Sequence, residues 1–352
     1  MKICVYTIAK NEEKFVRRWA ESCSSADYRI VCDTGSSDGT ASIARECGVS
    51  VYEKKFDVWR FDEARNWSLS CIPDDVDICI SLDMDEILLP GWREALEGIK
   101  GNVTRPRYKY VWSWNKDGSE GLVYGGDKIH ARNGYKWVHP VHEVLVPEIH
   151  EVQDWVQGLE IHHHPDQSKS RSQYLPLLEL AVREKPNDDR NQFYLAREYF
   201  YNGKNELASS HFKAHLNLST WAAERAAGCR FLSKTEHWNC EKWLYRAIYE
   251  DPTRRENWVE LAQYYHDAKD WHGCLFTSRK ALEIKEKPLD YLCEAEAWGF
   301  KPHDLIAISS YWVGLYADAY KHGVIALRID RDNPRLISNM EFYKLKIGEQ
   351  LV

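Results

Sequence analysis

The chain has no long hydrophobic run and no long block of like charges. Of its 352 residues 44% are hydrophobic, but they never form the run of about eighteen apolar residues that a membrane helix needs. Its 47 basic and 54 acidic residues give a net charge of −7 and are mixed along the chain. A membrane span and a basic nucleic-acid-binding arm are therefore not indicated. The apolar stretch at residues 3–9 is too short for a signal sequence, so we expect a cytoplasmic protein.

The ten cysteines also lack a pattern, because they form no Cys-x-x-Cys pair and no metal-type spacing. Most of them fall within apolar strand or helix patterns. This distribution is typical of buried free thiols in a reducing compartment, and it predicts no disulfide framework.

Strand and helix patterns alternate in the first hundred residues. Apolar runs at residues 2–8, 28–32, 49–52 and 78–82 predict strands, and helical periodicity follows the first, second and third of them. Such alternation favours an α/β fold with a doubly wound, mostly parallel sheet.

The apolar run at residues 76–82 is followed by the acidic residues Asp83, Asp85 and Glu86. Ligands of open α/β sheets bind beyond the carboxyl ends of the strands. Carboxylates one residue apart repel one another unless a cation or hydrogen-bond donors offset their charge, and oxygen ligands suit Mg²⁺ or Mn²⁺. This stretch alone is equally compatible with an ordinary acidic turn.

The pattern changes twice in the remainder of the chain. Short β-like pieces rich in tyrosine, tryptophan and glycine fill residues 101–164, and helical periodicity continues from there to the end. Four similar dipeptides recur in the helical part, with spacings of 32, 34 and 45 residues: His215-Leu216, Ala247-Ile248, Ala281-Leu282 and Ala326-Leu327. This recurrence predicts tetratricopeptide-like helix pairs with an insertion before the last pair. We therefore expect one domain at residues 1–167 and an all-α repeat domain at residues 168–352.

Four segments, in this order, resemble family 2 glycosyltransferases of the nucleotide-diphospho-sugar (GT-A) fold: residues 7–13, residues 33–40, the Ala-Arg-Asn sequence at residues 64–66 and the Asp-Met-Asp (DxD) sequence at residues 83–85. Residues 137–143 and 159–163, followed by helical repeats, are similar to the branch that fuses this domain to tetratricopeptide repeats and includes the sublancin-type peptide S-glycosyltransferase. The resemblance extends over nearly the whole chain, more loosely after residue 100.

The resemblance implies a site for the donor nucleotide at the ends of the first strands. The base and ribose are expected to contact Thr7, Ala9, Glu12, Asp33 and Asp38. It also implies that Arg65 contacts the diphosphate and that Asp83 reaches the ribose or the metal shell.

Structural roles remain open for several of these side chains. Asp33 and Asp38 could instead stabilise the glycine-containing turn, and Asp38 or Thr40 could cap the next helix. Arg65 could be a surface residue paired with Asp62 or Glu63.

The resemblance further implies a metal site and a catalytic base. Asp85 is expected to ligate Mn²⁺ or Mg²⁺, and His163 to complete the site, although the neighbouring His162 and His164 leave an ambiguity of one residue. Glu143 is the candidate base, but His142 and Glu143 could equally form a structural pair.

The implied activity is that of an inverting, metal-dependent glycosyltransferase with a UDP-sugar as the favoured donor. The expected acceptor is a hydroxyl or thiol of a peptide, protein or glycan, and hydroxymethylated pyrimidines of phage-type DNA are an alternative. A different class of hypothesis is a catalytically degenerate repeat scaffold that binds a protein partner.

Overall fold

The computed structural model describes residues 1–115, 117–166 and 174–350. The chain divides into two units, Met1–Ala181 with Leu289–Tyr291, and Val182–Pro288 with Leu292–Val352. The predicted domain boundary between residues 167 and 168 lies outside the described residues.

The first unit follows the predicted alternation and then becomes β-rich. Its elements are β1 (Ile3–Ala9), α1 (Glu13–Ser22), β2 (Tyr28–Asp33), α2 (Thr40–Glu46), β3 (Ser50–Glu53), α3 (Phe61–Ser70), β4 (Ile78–Ser81), β5 (Glu86–Leu88), α4 (Trp92–Glu97), β6 (Arg105–Val111), β7 (Val123–Gly126), β8 (Ile129–Ala131), β9 (Tyr135–Val138), β10 (Val144–Pro147), β11 (Gln153–His163) and the first part of α5 (Tyr174–Glu184).

The main sheet has the strand order β3-β2-β1-β4-β8. Its first four strands are parallel, and β8 pairs antiparallel with β4. Strand β1 is almost entirely buried, and its alternate residues belong to two apolar clusters, with Ile3 and Val5 in one and Cys4 and Tyr6 in the other. The strand order reverses between β1 and β4, so the crevice where such sheets bind ligands lies at their carboxyl ends.

A second sheet, with the order β5-β11-β6-β7, supports the acidic stretch. No strand was predicted for the apolar residues after this stretch. In the structure the chain forms β5 here, and β5 pairs antiparallel with β11 in a register that places Glu86 opposite His163. The short hairpin of β9 and β10 is tied to α3 by Asn66, whose side chain bonds Trp137 N at 2.9 Å and Trp137 O at 2.8 Å. These two connections bring distant parts of the sequence to the end of β4.

The described part of the second unit is helical, as predicted. It contains the end of α5, α6 (Asp189–Tyr201), α7 (Asn205–Leu218), α8 (Ala222–Thr235), a 3-10 turn (His237–Asn239), α9 (Cys240–Glu250), α10 (Arg255–Asp267), α11 (Trp271–Glu283), α12 (Ala295–Trp298), α13 (Lys301–Trp312), α14 (Tyr316–Ile329) and α15 (Pro334–Gln350). No helix in the described residues is both long and apolar enough to cross a membrane.

The sequence repeat corresponds to four helix pairs, α6 with α7, α8 with α9, α10 with α11, and α13 with α14. His215, Ala247, Ala281 and Ala326 lie on the second helices of successive pairs, and all four are fully buried. The predicted insertion is the longer connection after α11, which contains α12. The fold is therefore a mixed α/β sheet followed, in the described residues, by an all-helical, tetratricopeptide-like array.

Candidate active site

The acidic stretch forms a closed turn after β4. The Asp83 amide donates to Glu86 Oε2 at 2.8 Å, and the Glu86 amide donates to the Asp83 carbonyl oxygen at 2.9 Å. Glu86 is almost fully buried, and its Oε1 accepts a hydrogen bond from the Tyr110 hydroxyl at 2.5 Å. The turn geometry therefore separates the roles of its three acids, because Glu86 points inward while Asp83 and Asp85 remain about one-quarter exposed.

Arg65 lies at the centre of a buried charge network. Its guanidinium donates to Asp83 Oδ1 at 2.8 Å, to Glu143 Oε1 at 2.5 Å and to Ser81 Oγ at 3.1 Å. It also lies 4.8 Å from the ring centroid of Trp137. Burial favours loss of the proton, but the two carboxylates outweigh this effect and raise the pKa of Arg65 above its ordinary value. The alternative of a surface arginine paired with nearby acids is wrong, since the side chain is only 5% exposed.

Lys128 is a member of the network that the sequence analysis missed. Its Nζ lies 2.6 Å from Asp83 Oδ2 and 3.1 Å from Glu86 Oε1. Burial raises the pKa of Asp83, but Arg65 and Lys128 outweigh it and hold this pKa well below its usual range. The only sequence signal for Lys128 was its place within a β-like stretch, which carries no chemical information by itself.

Asp85 and His163 face each other, with His163 Nε2 at 3.4 Å from Asp85 Oδ2. The other ring nitrogen, Nδ1, lies 2.9 Å from the Trp112 carbonyl oxygen, and the imidazole stacks on the Trp112 ring at a centroid distance of 4.2 Å. Burial lowers the pKa of His163, but the adjacent Asp85 outweighs burial and raises it overall. These contacts fix the ring so that Nε2 points to Asp85.

The two neighbouring histidines have other surroundings. His162 Nε2 lies 3.4 Å from Glu160 Oε2, and His164 stacks on Trp114 at a centroid distance of 5.6 Å. Successive side chains of a strand point to opposite faces, and His163 is the one on the face of Asp85.

Asp33 is the last residue of β2, and its two carboxylate oxygens differ in their hydrogen bonds. Its Oδ1 accepts from the amides of Gly35 at 2.8 Å and Ser36 at 2.7 Å. Oδ2 is buried and has no hydrogen-bond partner in the described part of the chain. Turn stabilisation and ligand binding are therefore compatible in this residue, because each can use a different oxygen. Gly35, with φ of 107°, supplies the left-handed backbone of the turn.

The Thr40 hydroxyl connects the loop after β1 to the loop after β2 through hydrogen bonds. It accepts from the Glu12 amide at 2.7 Å, and it donates to Asp38 Oδ1 at 2.6 Å. Asp38 also accepts from the Thr40 amide at 3.0 Å, at the first turn of α2. Burial raises the pKa of Asp38, but its hydrogen bonds outweigh burial and lower the pKa overall. Asp38 therefore has the structural role that the sequence left open, while Gly39 is the residue in the N-cap position.

The remaining predicted residues lie on β1 and in the loop of the β9–β10 hairpin. Thr7 and Ala9 are buried near the end of β1, and the Ala9 carbonyl oxygen accepts from the Thr34 amide at 2.9 Å. Glu143 is the last residue of the loop between β9 and β10 and bonds Arg65. His142, in the same loop, lies beside the Tyr174 ring at a centroid distance of 5.7 Å. His142 has a left-handed backbone with φ of 49°, a conformation that is uncommon outside glycine and asparagine.

Comparison with known proteins gives a family for the first part of the chain. The model of glycosyl transferase family 2 matches residues 4–105. No curated protein matches the chain.

Several solved structures resemble parts of the chain. A structure of MamA covers 46% of this chain and 89% of its own, with 17% identity and a TM-score of 0.37. YrrB, described as a TPR protein with an unusual peptide-binding site, covers 49% of this chain and 84% of its own, with 12% identity and a TM-score of 0.39. Glucosyl-3-phosphoglycerate synthase from Mycobacterium tuberculosis, in complex with Mn²⁺, UDP and glucosyl-3-phosphoglycerate, covers 31% of this chain and 44% of its own, with 27% identity and a TM-score of 0.28. The family match, together with the fold described above, supports a glycosyltransferase with a family 2 domain at residues 4–105, followed by tetratricopeptide-like repeats.

Proposed function

We propose that the protein is an inverting, metal-dependent glycosyltransferase that moves a sugar from a UDP-sugar to a hydroxyl or thiol of a peptide, protein or glycan. The observation that carries this proposal is the pair of Asp85 Oδ2 and His163 Nε2, 3.4 Å apart beside the carboxyl end of β4. Parallel α/β sheets bind ligands at this end.

The donor atoms of this pair fit a divalent cation. The Trp112 carbonyl oxygen can accept the Nδ1 proton of His163, which leaves the lone pair of Nε2 on the side of Asp85. One carboxylate and one imidazole leave room for phosphate oxygens and water, and the imidazole favours Mn²⁺ over Mg²⁺. When bound, such a cation would neutralise the charge that develops on the leaving diphosphate.

Asp33 offers a hydrogen-bond acceptor that suits the base of the proposed nucleotide. A buried carboxylate oxygen without a partner is costly unless a ligand donates to it, and the N–H edge of a uracil base is such a donor. We assign the base and ribose to the surroundings of Asp33, Thr7, Ala9 and Glu12.

Asp83 and Arg65 act on the ribose and diphosphate side of this site. Both Asp83 oxygens already accept from cationic groups, so we assign Asp83 to the ribose hydroxyls rather than to the cation. Arg65 positions Asp83 and supplies positive charge near the diphosphate. Asp38, which holds the turn above β2, is a positioning residue in this proposal.

Glu143 is the proposed base. Its carboxylate takes the proton from the acceptor hydroxyl or thiol, whose oxygen or sulfur attacks the anomeric carbon as the bond to the diphosphate oxygen breaks. The inversion of configuration follows from a single displacement. The bond from Arg65 Nε to Glu143 Oε1 fixes the direction of the carboxylate, and the neighbouring His142 is proposed to orient the acceptor.

Charge and architecture support the proposed acceptor class. A net charge of −7 opposes binding to DNA, so we favour a peptide, protein or glycan over a modified pyrimidine. The helix pairs after the sheet are proposed to contact a protein partner, as arrays of this kind usually do.

The test is calorimetry of UDP binding and hydrolysis of a panel of nucleotide sugars by the full chain, with Mn²⁺ and with EDTA. We expect UDP to bind at least about tenfold more tightly with Mn²⁺, because Asp85 and His163 would hold the cation and its charge would offset that of the phosphates. Asp85→Asn removes this difference, whereas Asp74→Asn, at a fully exposed aspartate, leaves it unchanged. Equal UDP affinity and equal turnover in Mn²⁺ and EDTA would show that the acidic turn does not hold a cation.

The test of the base is Glu143→Gln. This variant should lose transfer to the acceptor and keep its affinity for UDP, because it preserves the size of the side chain but cannot take a proton at neutral pH. Transfer at the wild-type rate would remove Glu143 from the mechanism.

A further inference from the structure

The Lys128 side chain reaches into the acidic turn and is about one-quarter exposed there, at a place where the charge of the proposed donor site is set. The backbone fixes its position, because the Lys128 carbonyl oxygen accepts from the Ser81 amide at 3.0 Å, where β8 pairs with β4. From there its side chain reaches both Asp83 and Glu86, which flank the proposed metal ligand Asp85.

The charges around the turn are nearly balanced. Asp83 and Glu86 carry two negative charges and both bond Lys128, whereas the positive charge of Arg65 is shared between Asp83 and Glu143. Each Asp83 oxygen accepts from one of these cationic groups. Asp85 is outside this balanced group, because its Oδ2 faces His163 instead.

We propose that Lys128 is a positioning residue that sets the charge of the donor site: together with Arg65 it offsets the negative charge of Asp83 and Glu86, so that Asp85 remains to attract the cation and the diphosphate is repelled less. This inference rests on the proposed function for the identity of the ligands, but not for the charge balance itself. Without Lys128, the turn would bind a free cation more tightly and a diphosphate more weakly, because an added negative charge acts on the two ligands with opposite sign.

The experiment compares Lys128→Met with the wild type in two titrations of the full chain. In the first, Mn²⁺ alone is titrated and the free ion is followed by electron paramagnetic resonance. In the second, UDP is titrated at saturating Mn²⁺ by calorimetry. We expect Lys128→Met to bind Mn²⁺ alone about tenfold more tightly and UDP about tenfold more weakly, the scale expected for one uncompensated charge near a partly buried site. General damage to the site would weaken both.

Two further variants separate charge from packing. Lys128→Arg keeps the charge and should return the affinity for Mn²⁺ alone towards the wild-type value. Asp83→Asn with Lys128→Met removes one charge of each sign, so it remains testable if the single Lys128→Met variant does not fold, and it should also bind Mn²⁺ alone like the wild type. The matched control is Lys136→Met, since Lys136 forms an exposed pair with Glu148, and it should change neither titration.

Three results would overturn the proposal: an affinity for Mn²⁺ alone that is unchanged or weaker in folded Lys128→Met, a Lys128→Arg variant that behaves like Lys128→Met, or a double variant in which the gain persists. Failure of the proposed function is a separate result, because it would appear as a wild-type protein without UDP affinity. The titrations with Mn²⁺ alone would still decide the role of Lys128.

Discussion

Replacement of Arg65 by methionine should destabilise the first unit strongly. Methionine fills much of the same volume but leaves Glu143, whose side chain is 11% exposed, without the guanidinium that it bonds at 2.5 Å. Asp83 keeps its contact with Lys128, so only one carboxylate is left uncompensated. Removing one partner of a buried ion pair costs about 3–5 kcal/mol. We therefore expect a loss of about 3 kcal/mol in the free energy of unfolding, at the low end of this range.

Scanning calorimetry of the full chain measures this loss. For a folding unit of this size, a loss of about 3 kcal/mol corresponds to a fall in Tm of roughly 6–12 °C. The control is Arg93→Met, because Arg93 also bonds two carboxylates, Asp27 and Glu97, but both of these are about one-third or more exposed. Exposed pairs contribute about 0–1 kcal/mol each, so this variant should lose much less.

A double variant identifies the cause of the loss. Adding Glu143→Gln to Arg65→Met removes the unpaired charge, and about 1–2 kcal/mol should be regained, as expected for two groups in direct contact. The reasoning would be refuted if Arg65→Met cost no more than Arg93→Met, or if Glu143→Gln added its own loss in full. Either result would mean that the network does not depend on compensation of buried charge.

Three further predictions concern the metal, the nucleotide and pH. Asp85→Ala should abolish the Mn²⁺-dependent part of UDP affinity in calorimetry, and His163→Ala should lose a smaller share; unchanged affinity in both would exclude this pair as the metal site. Asp33→Asn should bind UDP roughly tenfold or more weakly while Tm stays nearly constant, because the amide keeps one oxygen for the turn but offers no acceptor at Oδ2; equal UDP affinity would mean that the buried oxygen does not bind the base. Burial lowers the pKa of His130 from 6.5 to about 4. Between these pH values the native state therefore binds fewer protons than the unfolded state. The free energy of unfolding should fall by up to about 3 kcal/mol as pH decreases from 6.5 to 4. Urea denaturation at pH 7 and pH 5 should show a smaller fall in His130→Gln, and an identical fall would assign the pH dependence to other groups.

Periodicity and motif order were sufficient to predict much of the fold. The apolar runs that became β1 and β4 are almost wholly buried, and burial on both faces of a parallel sheet is what produces such runs in a sequence. The helical repeat was equally visible, because three of its four units bury an alanine at the same place on the second helix, where the first unit buries His215. These are local signals, because the type and spacing of the residues in one segment indicate whether that segment is buried.

Pairings between distant segments were not accessible in the same way. The short β5 was not predicted, because three residues give no measurable period, and its existence depends on the partner strand β11. Lys128 carries no motif of its own, and only the antiparallel pairing of β8 with β4 brings it to Asp83.

The candidate site divides in the same manner. The types of residue were determined by the sequence alone, since acids after β4, an acid at the end of β2 and a cluster of histidines stand out without a structure. The tertiary structure decided their partners: which histidine faces Asp85, which oxygen of Asp33 is left unused, and that Arg65 is buried between Asp83 and Glu143. The physical reason is that hydrogen bonds and ion pairs act over a few ångströms in space, whereas the partners of Arg65 are separated from it by 18 and 78 residues along the chain.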